Sequence, residues 1–220
     1  MIDETSKEIK TIHKYTKLQY LIDFIKTGKF ALTDPLSWED KNDVRFLEFF
    51  QNKKQLERMS ASCFTRTAET FHHWKIYAEQ NKGPGVRISF DKKRFVECLN
   101  EDFLYKEIKY IRINGENYLS GYVVDDLPFI KRYPYRDERE YRDISPKPIF
   151  QKRLHKVNID VSVISGIRIS PWMERNEAVR VKEDLNSKLQ EKWHKIKNRI
   201  FQSTMLKNDK WIELGQNIIL

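Results

Sequence analysis

Phe129-Ile-Lys-Arg-Tyr-Pro-Tyr-Arg-Asp-Glu-Arg-Glu-Tyr-Arg142 closes on an acidic-x-acidic-x-basic run. Read as a strand over 137–144, side chains two apart share a face. Glu138, Glu140 and Arg142 then project together, and Arg139, Tyr141 and Asp143 project the opposite way. Two carboxylates and a guanidinium on one short strip are costly to bury unless each is partnered. The strip is therefore either a wet edge strand of alternating charge or the floor of a polar site.

Outward from this run, periodicity divides the chain into short alternating elements. Residues 9–16 and 30–33 read as strands. Between them, apolar positions 18, 21, 22 and 25 have helical spacing, and Gly28 stands where a helix should stop. A polar loop from Asp34-Pro35 to Asp43 leads into a helix over 45–59. Ser60–Thr65 and Val86–Phe90 alternate as strands, separated by a helix over 71–79 and the Gly83-Pro-Gly85 turn. A helix is expected over 92–99, a strand over 103–113, a loop or short helix over 116–128 and a strand over 161–169. Residues 174–202 read as one long charged helix. No Pro/Gly/Ser linker or repeat interrupts the chain. The expectation is one α+β domain over 1–175 with a helical C-terminal appendage, 176–220, packed on it.

Composition narrows the function classes. With 40% hydrophobic and 13% aromatic residues in 220, the chain can build a packed core, which argues against wholesale disorder. Only 7 glycines are present and no phosphate-loop or dinucleotide fingerprint occurs, so glycine-rich nucleotide folds are disfavoured. The formal net charge of +9 favours anionic partners. Cys63 and Cys98 lack metal-ligand spacing and suggest no disulfide framework. The polar start Met1-Ile-Asp-Glu-Thr-Ser does not read as a signal peptide, and no apolar run nears the roughly 20 residues of a membrane span. A cytoplasmic protein without a membrane partner is expected.

Several groups of residues carry candidate chemistry. Ser60 and Ser62 share a face of their strand; small hydroxyls there either bond a ligand or pack beneath a helix. Lys14 and Tyr15 pair a cation with an aromatic ring, which suits an anionic nucleotide, or are a surface lysine beside a core tyrosine. Trp74 reads as core; Tyr77, three residues on, fits core or site. His72 and His73 point about 100° apart on a helix, and no third ligand is evident, so a metal site is not expected. The loop Trp38–Asp43 is acidic but lacks the ligand ladder of a calcium loop. Lys192, Lys195, Lys197 and Arg199 form a basic run that is either a solvated helix face or a nucleic-acid contact.

Taken in order, these segments resemble a bacterial family catalogued as a domain of unknown function. The resemblance is carried by Lys14, Tyr15 and Gly28; by Trp38, Glu39 and Asp40; and by Cys63-Phe64-Thr65. It continues through Trp74, Tyr77 and Gly85-Val86-Arg87-Ile88 to Lys131, Arg132, Glu138, Glu140 and Arg142, and it ends near Ile167–Trp172. More distantly, the order of parts is similar to mono-ADP-ribosyltransferases. They have a first strand with a polar or basic nucleotide-binding residue, a middle strand with a serine motif and a later strand with Glu-x-Glu. Here Ala61 stands where that family's middle threonine is found. The resemblance implies a split, mixed β-sheet core with NAD as co-substrate. It makes Glu140 the catalytic glutamate and Glu138 the residue facing the acceptor. Lys14 with Arg132 or Arg142 would hold the pyrophosphate, Tyr15 and Tyr77 the rings, and Ser60 and Ser62 would lie on the serine-motif strand.

Such chemistry needs a carboxylate at the ribose, where positive charge develops as the glycosidic bond breaks. It also needs a second carboxylate to take the acceptor's proton. The expectation is an ADP-ribosyltransferase, a toxin or phage-defence effector with a nucleic acid or protein acceptor and an antitoxin partner. The alternatives are a non-catalytic nucleic-acid-binding module and a metal-dependent nuclease using the same carboxylates.

Overall fold

A computed structural model describes residues 10–78, 84–99, 101–113, 119–146, 150–151, 154–190 and 199–218. The first half of the chain follows local sequence signals closely. β1 (Thr11–Lys17) runs directly into α1 (Leu18–Thr27). Leu18, Leu21, Phe24 and Ile25 line the buried face of α1, and Gly28 ends it in the left-handed region at φ 66°. β2 (Lys29–Thr33) follows, and a 3-10 turn over Pro35–Ser37 leads to α2 (Lys41–Lys53), whose N-cap Asp40 accepts from the Asn42 backbone N–H. β3 (Ser60–Thr65) comes next. The helix expected over 71–79 is a single α turn, α3 (Phe71–His73), continued as a π-helix over Trp74–Ala78. β4 (Gly85–Asp91) and α4 (Lys92–Glu97) complete this half.

The second half departs further from its periodicity. The strand expected over 103–113 breaks into β5 (Leu104–Glu107) and β6 (Lys109–Ile111), because Ile108 turns inward and its N–H bonds the Glu140 carbonyl at 3.0 Å. A 3-10 segment, Val124–Phe129, precedes β7 (Ile130–Arg132), which pairs with β6 alone. The expected Glu-x-Glu strand does not include its first glutamate. Glu138 ends a 3-10 turn that begins at Tyr133, and β8 is Glu140–Ser145. β9 (Phe150–Gln151), β10 (Leu154–Asn158) and β11 (Ile164–Ile169) follow, the last preceded by a 3-10 turn at Val161–Val163. The region expected as one helix over 174–202 comprises α5 (Arg175–Gln190) and a short strand, β12 (Ile200–Gln202); α6 is Asp209–Ile218. The segment after residue 175 is thus not wholly helical, since β12 extends the sheet in parallel to β11.

The result is an α+β fold around one mixed sheet, ten-stranded among the described residues. Its path is β12-β11-β4-β1-β3-β2-β10-β9, with β8 on β3 and β5 on β8. β3 is the dividing strand. It pairs with β8 along its whole length, from Ser60↔Ser145 to Thr65↔Glu140. On its other edge β1 meets it only at His13↔Thr65, and β2 only at Thr33↔Ala61. Between those two points β1 and β2 part, and the middle of β3 is left open.

The two faces of the β3–β8 pair bury different cores. On one, Phe64 and Tyr141 join an aromatic cluster with Phe24, Phe30, Phe90 and Phe95 beneath α1 and α5. On the other, Ala61 and Ile144 pack under Leu47 and Phe50 of α2. Each buried Phe, Leu or Ile among them contributes on the order of 1.5–3 kcal/mol. A third cluster, Tyr15, Trp74 and Ala78, fastens the π-helix to β1. Gly85 lies so close to that helix that an added Cβ would stand 2.6 Å from the Ala78 Cβ. Gly85→Ala should therefore lower stability by about 1–3 kcal/mol through overpacking. Urea or thermal denaturation checks this, and an unchanged midpoint would contradict the packing described.

Candidate active site

Along the α2-covered face of β3 and β8, apolar Ala61 and Ile144 give way to Cys63, Thr65, Arg142 and Glu140. There the opening beside β3 becomes a cavity of about 630 Å³. Its floor comes from β1, β3 and β8, one wall from residues 33–43, and the other from His73, Ile76 and Tyr77.

Its ionic centre is built from five side chains. Arg142 is fully buried. Its Nε donates to Glu140 Oε1 at 2.7 Å, and Nη1 and Nη2 grip Asp43 at 2.9 and 2.7 Å. Nη1 also reaches the Pro128 carbonyl at 2.9 Å, and the Trp38 ring lies against the guanidinium. Lys131 Nζ stands 2.6 Å from Glu138 Oε2, 3.3 Å from Glu140 Oε2 and 3.8 Å from Asp43 Oδ2. Tyr77 Oη donates to Glu138 Oε1 at 2.7 Å.

The two glutamates converge by a turn rather than by strand alternation. Arg139 adopts the left-handed region at φ 42°, ψ 51°, and its carbonyl accepts from the Arg66 N–H at 3.0 Å. Thr65 Oγ1 donates to the Glu138 carbonyl at 2.7 Å. The Glu140 N–H donates to Tyr110 Oη at 2.8 Å. These bonds fix the backbone on both sides of the left-handed residue.

The neighbours drive the two carboxyls apart in acidity. Burial alone would raise Glu140, but the charges of Arg142 and Lys131 outweigh it and hold the group down to about 2. Glu138 moves up: burial dominates, Lys131 opposes it, and the nearby Glu140 charge adds to the rise. Among the described residues, Lys14 is the one lysine or arginine lining the cavity that makes no ion pair. Its Nζ donates to Ser62 Oγ at 2.7 Å and to the Cys63 carbonyl at 3.3 Å, in the gap where β1 and β2 part. Burial lowers the Lys14 pKa.

The sequence-derived site residues divide accordingly. Lys14, Tyr15, Ser62, Tyr77, Glu138, Glu140 and Arg142 all line this cavity. Ser60 does not: it is fully buried, and its Oγ lies 2.8 Å from His155 Nδ1. Arg132 does not line it either, and stands 4.0 Å from Asp40. Arg142 lies in the floor but is committed to Asp43 and Glu140, so it is not free for a pyrophosphate. Tyr15 is held between His73, stacked with ring centroids 5.5 Å apart, and the edge of Trp74. Lys192, Lys195 and Lys197 lie outside the described residues; Arg199 is exposed, with Nη1 3.4 Å from the Ser165 carbonyl.

Sequence reasoning missed Asp43, Lys131, Tyr110 and His73 as parts of the site. Lys131 enters the sequence reading only as one of the residues carrying the resemblance, and Asp43 only as the end of the acidic loop, neither with a role in the site. His73 enters the sequence reading only as a candidate metal ligand; its Nδ1 lies 2.6 Å from Thr70 Oγ1 and its Nε2 3.4 Å from the Glu138 carbonyl. Among the described residues, no group of three or more His, Cys, Asp or Glu side chains is placed to hold a metal ion. Nor is any helix long and apolar enough to cross a membrane.

No family model matches the sequence, and no curated protein matches it. Among solved structures, the chain is similar to Thermus sp. 2.9 DarT in complex with ADP-ribosylated ssDNA. Identity is 12%, the TM-score is 0.45, and the match covers 92% of this chain and 97% of that one.

Two predictions follow from the charges. Asp43→Asn leaves the Arg142 guanidinium buried beside a neutral amide, and removing one partner of such a pair costs roughly 3–5 kcal/mol. Urea titration should register that loss; a cost below about 1 kcal/mol would mean the pair is not held as described. Asp143, on the opposite face of β8, has no hydrogen-bond partner at either carboxylate oxygen among the described residues. Burial, opposed by Lys14, raises its pKa from 3.8 to about 8. The unfolded chain releases this proton near 3.8 and the folded chain keeps it, so folding loses stability as pH climbs through that window. Asp143→Asn should flatten the pH–stability profile there. An unaltered slope, measured by denaturation at stepped pH, would contradict a buried, protonated Asp143.

Proposed function

We propose that the cleft cleaves NAD and transfers ADP-ribose to an acceptor. The observation that carries this reading is the convergence of Lys14, Tyr15, Ser62, Tyr77, Glu138 and Glu140 on one cavity of nucleotide-sized volume. The cavity suits a dinucleotide on three counts. Lys14 supplies positive charge that no ion pair engages among the described residues, Tyr77 supplies an exposed ring at the wall, and Glu138 and Glu140 line the same cavity.

Breaking the bond between nicotinamide and ribose sends the bonding electrons to nicotinamide and leaves positive charge on the ribose. Glu140 opposes that charge while remaining ionised over the physiological range. A preorganised group of this kind lowers the barrier by roughly 3–4 kcal/mol. Arg142 and Lys131 each occupy one of its oxygens, and a carboxylate retains lone pairs for a ribose hydroxyl. Glu138, the more basic of the two, accepts the proton that the acceptor loses as its new bond to the ribose forms. Lys131 and Tyr77 orient it. Lys14 holds the anionic pyrophosphate through a charge-assisted hydrogen bond.

The nuclease reading is weaker, because Lys131 already stands among Asp43, Glu138 and Glu140, where a divalent ion would have to sit. The net charge of +9 favours a polyanionic acceptor, with a protein acceptor and a toxin or defence role as the further elements of the proposal.

The direct test incubates the protein with labelled NAD and total cell lysate, followed by nuclease or protease. Transfer of label, or release of nicotinamide, is expected. Glu140→Gln should reduce either by at least about a hundredfold. Lys14→Met should raise KM for NAD more than it lowers kcat, with circular dichroism confirming that both variants fold. A wild-type chain that neither consumes NAD nor transfers label would refute the reading, as would a fully active Glu140→Gln.

A further inference from the structure

Tyr141 leaves β8 on the face opposite Glu140 and Arg142, and it lines a second cavity, also of about 630 Å³. None of the cleft's side chains contributes to it. Tyr141 is 2% exposed, yet its hydroxyl has no hydrogen-bond partner among the described residues. Lys92 Nζ lies 4.9 Å from the centre of the Tyr141 ring, and Lys10, Lys93 and Lys106 complete a basic rim.

The acids in the same wall are largely committed elsewhere. Asp91 caps α4 by accepting from the Arg94 N–H at 3.1 Å, and Glu107 pairs with Arg66 at 2.8 Å. Glu97 is the remaining carboxylate. Of the cations, Arg94 is bound to Ser162 and Lys106 stands 3.4 Å from Asp126. Lys10, Lys92 and Lys93 make no ion pair among the described residues. Tyr105, on β5 beside Tyr141, presents an exposed ring at the mouth. Free ammonium groups beside an exposed aromatic ring match what an unpaired nucleotide offers, a phosphate and a π-face. A duplex offers no free base face to such a ring, and its width does not enter a cavity of this size.

We propose that this cavity binds single-stranded nucleic acid: phosphodiester oxygens meet Lys10, Lys92 and Lys93, and a base stacks on Tyr105. The site is separate from the NAD cleft and does not depend on the transferase reading.

Fluorescence anisotropy on the full chain, with labelled oligothymidylate and oligouridylate as probes, tests it. The wild type should bind at least one of them with salt-dependent affinity. Lys92→Glu combined with Lys93→Glu should weaken binding at least about tenfold and make the salt dependence shallower. Tyr105→Ala should weaken it about tenfold while leaving the salt slope in place. Its ring is exposed, so this variant decides the matter if the double substitution fails to fold. Glu140→Gln should bind like the wild type, which separates this result from any loss in the cleft. The proposal is overturned if neither probe binds, or if folded variants bind unchanged. It is also overturned if AMP or a hairpin duplex competes as well, per nucleotide, as the single strand.

Discussion

A guanidinium with no exposure to water, Arg142, is the constraint on which the candidate site depends. Taking such a charge out of solvent costs several kcal/mol, and the cost is offset only if every face of the group is matched. Here Asp43 takes both terminal nitrogens, Glu140 takes Nε, the Pro128 carbonyl shares Nη1, and the Trp38 ring covers the plane. Those partners come from α2, the 3-10 segment before β7, the loop before α2, and β8 itself. Matching one arginine therefore sets where four separate pieces of chain must stand. The carboxylate that faces the cavity is placed as a by-product of that matching.

Lys131 adds a second, more accessible cation to the same carboxylates. Its ammonium is shared among three acids, whereas Arg142 is dedicated to two. This asymmetry, together with the depth of each group, makes neighbouring glutamates differ in proton affinity. Identical side chains two residues apart are thereby suited to different tasks, one permanently charged and one able to exchange a proton.

Much of the first ninety residues was legible. α1 and its glycine stop came from helical spacing, and β3 came from its alternation, because both follow from local periodicity. The convergence of Lys14, Ser62, Glu138 and Glu140 was also anticipated, from the order of motifs. What stayed hidden was non-local. Glu138 reaches the site through a left-handed Arg139, a conformation that an arginine does not advertise. Asp43 and Lys131 matter only because folding brings α2 and β7 onto β8. Ser60 and Ser62 share a face of β3, but they lie at different depths along it: Ser62 meets Lys14 at the opening, while Ser60 meets His155 in the interior. The periodicity of 174–202 concealed β12, which is only three residues long and lies in a strongly charged stretch.

The way β1 and β2 attach to β3 has a mechanical consequence. Each is tied to it at a single register position, whereas β8 is zipped to it along its full length. The sheet therefore resembles two leaves hung from one stiff double rib. Deformation under load concentrates at those two isolated tethers, and the compliant direction is the one that spreads the leaves and widens the slot in which Lys14 lies.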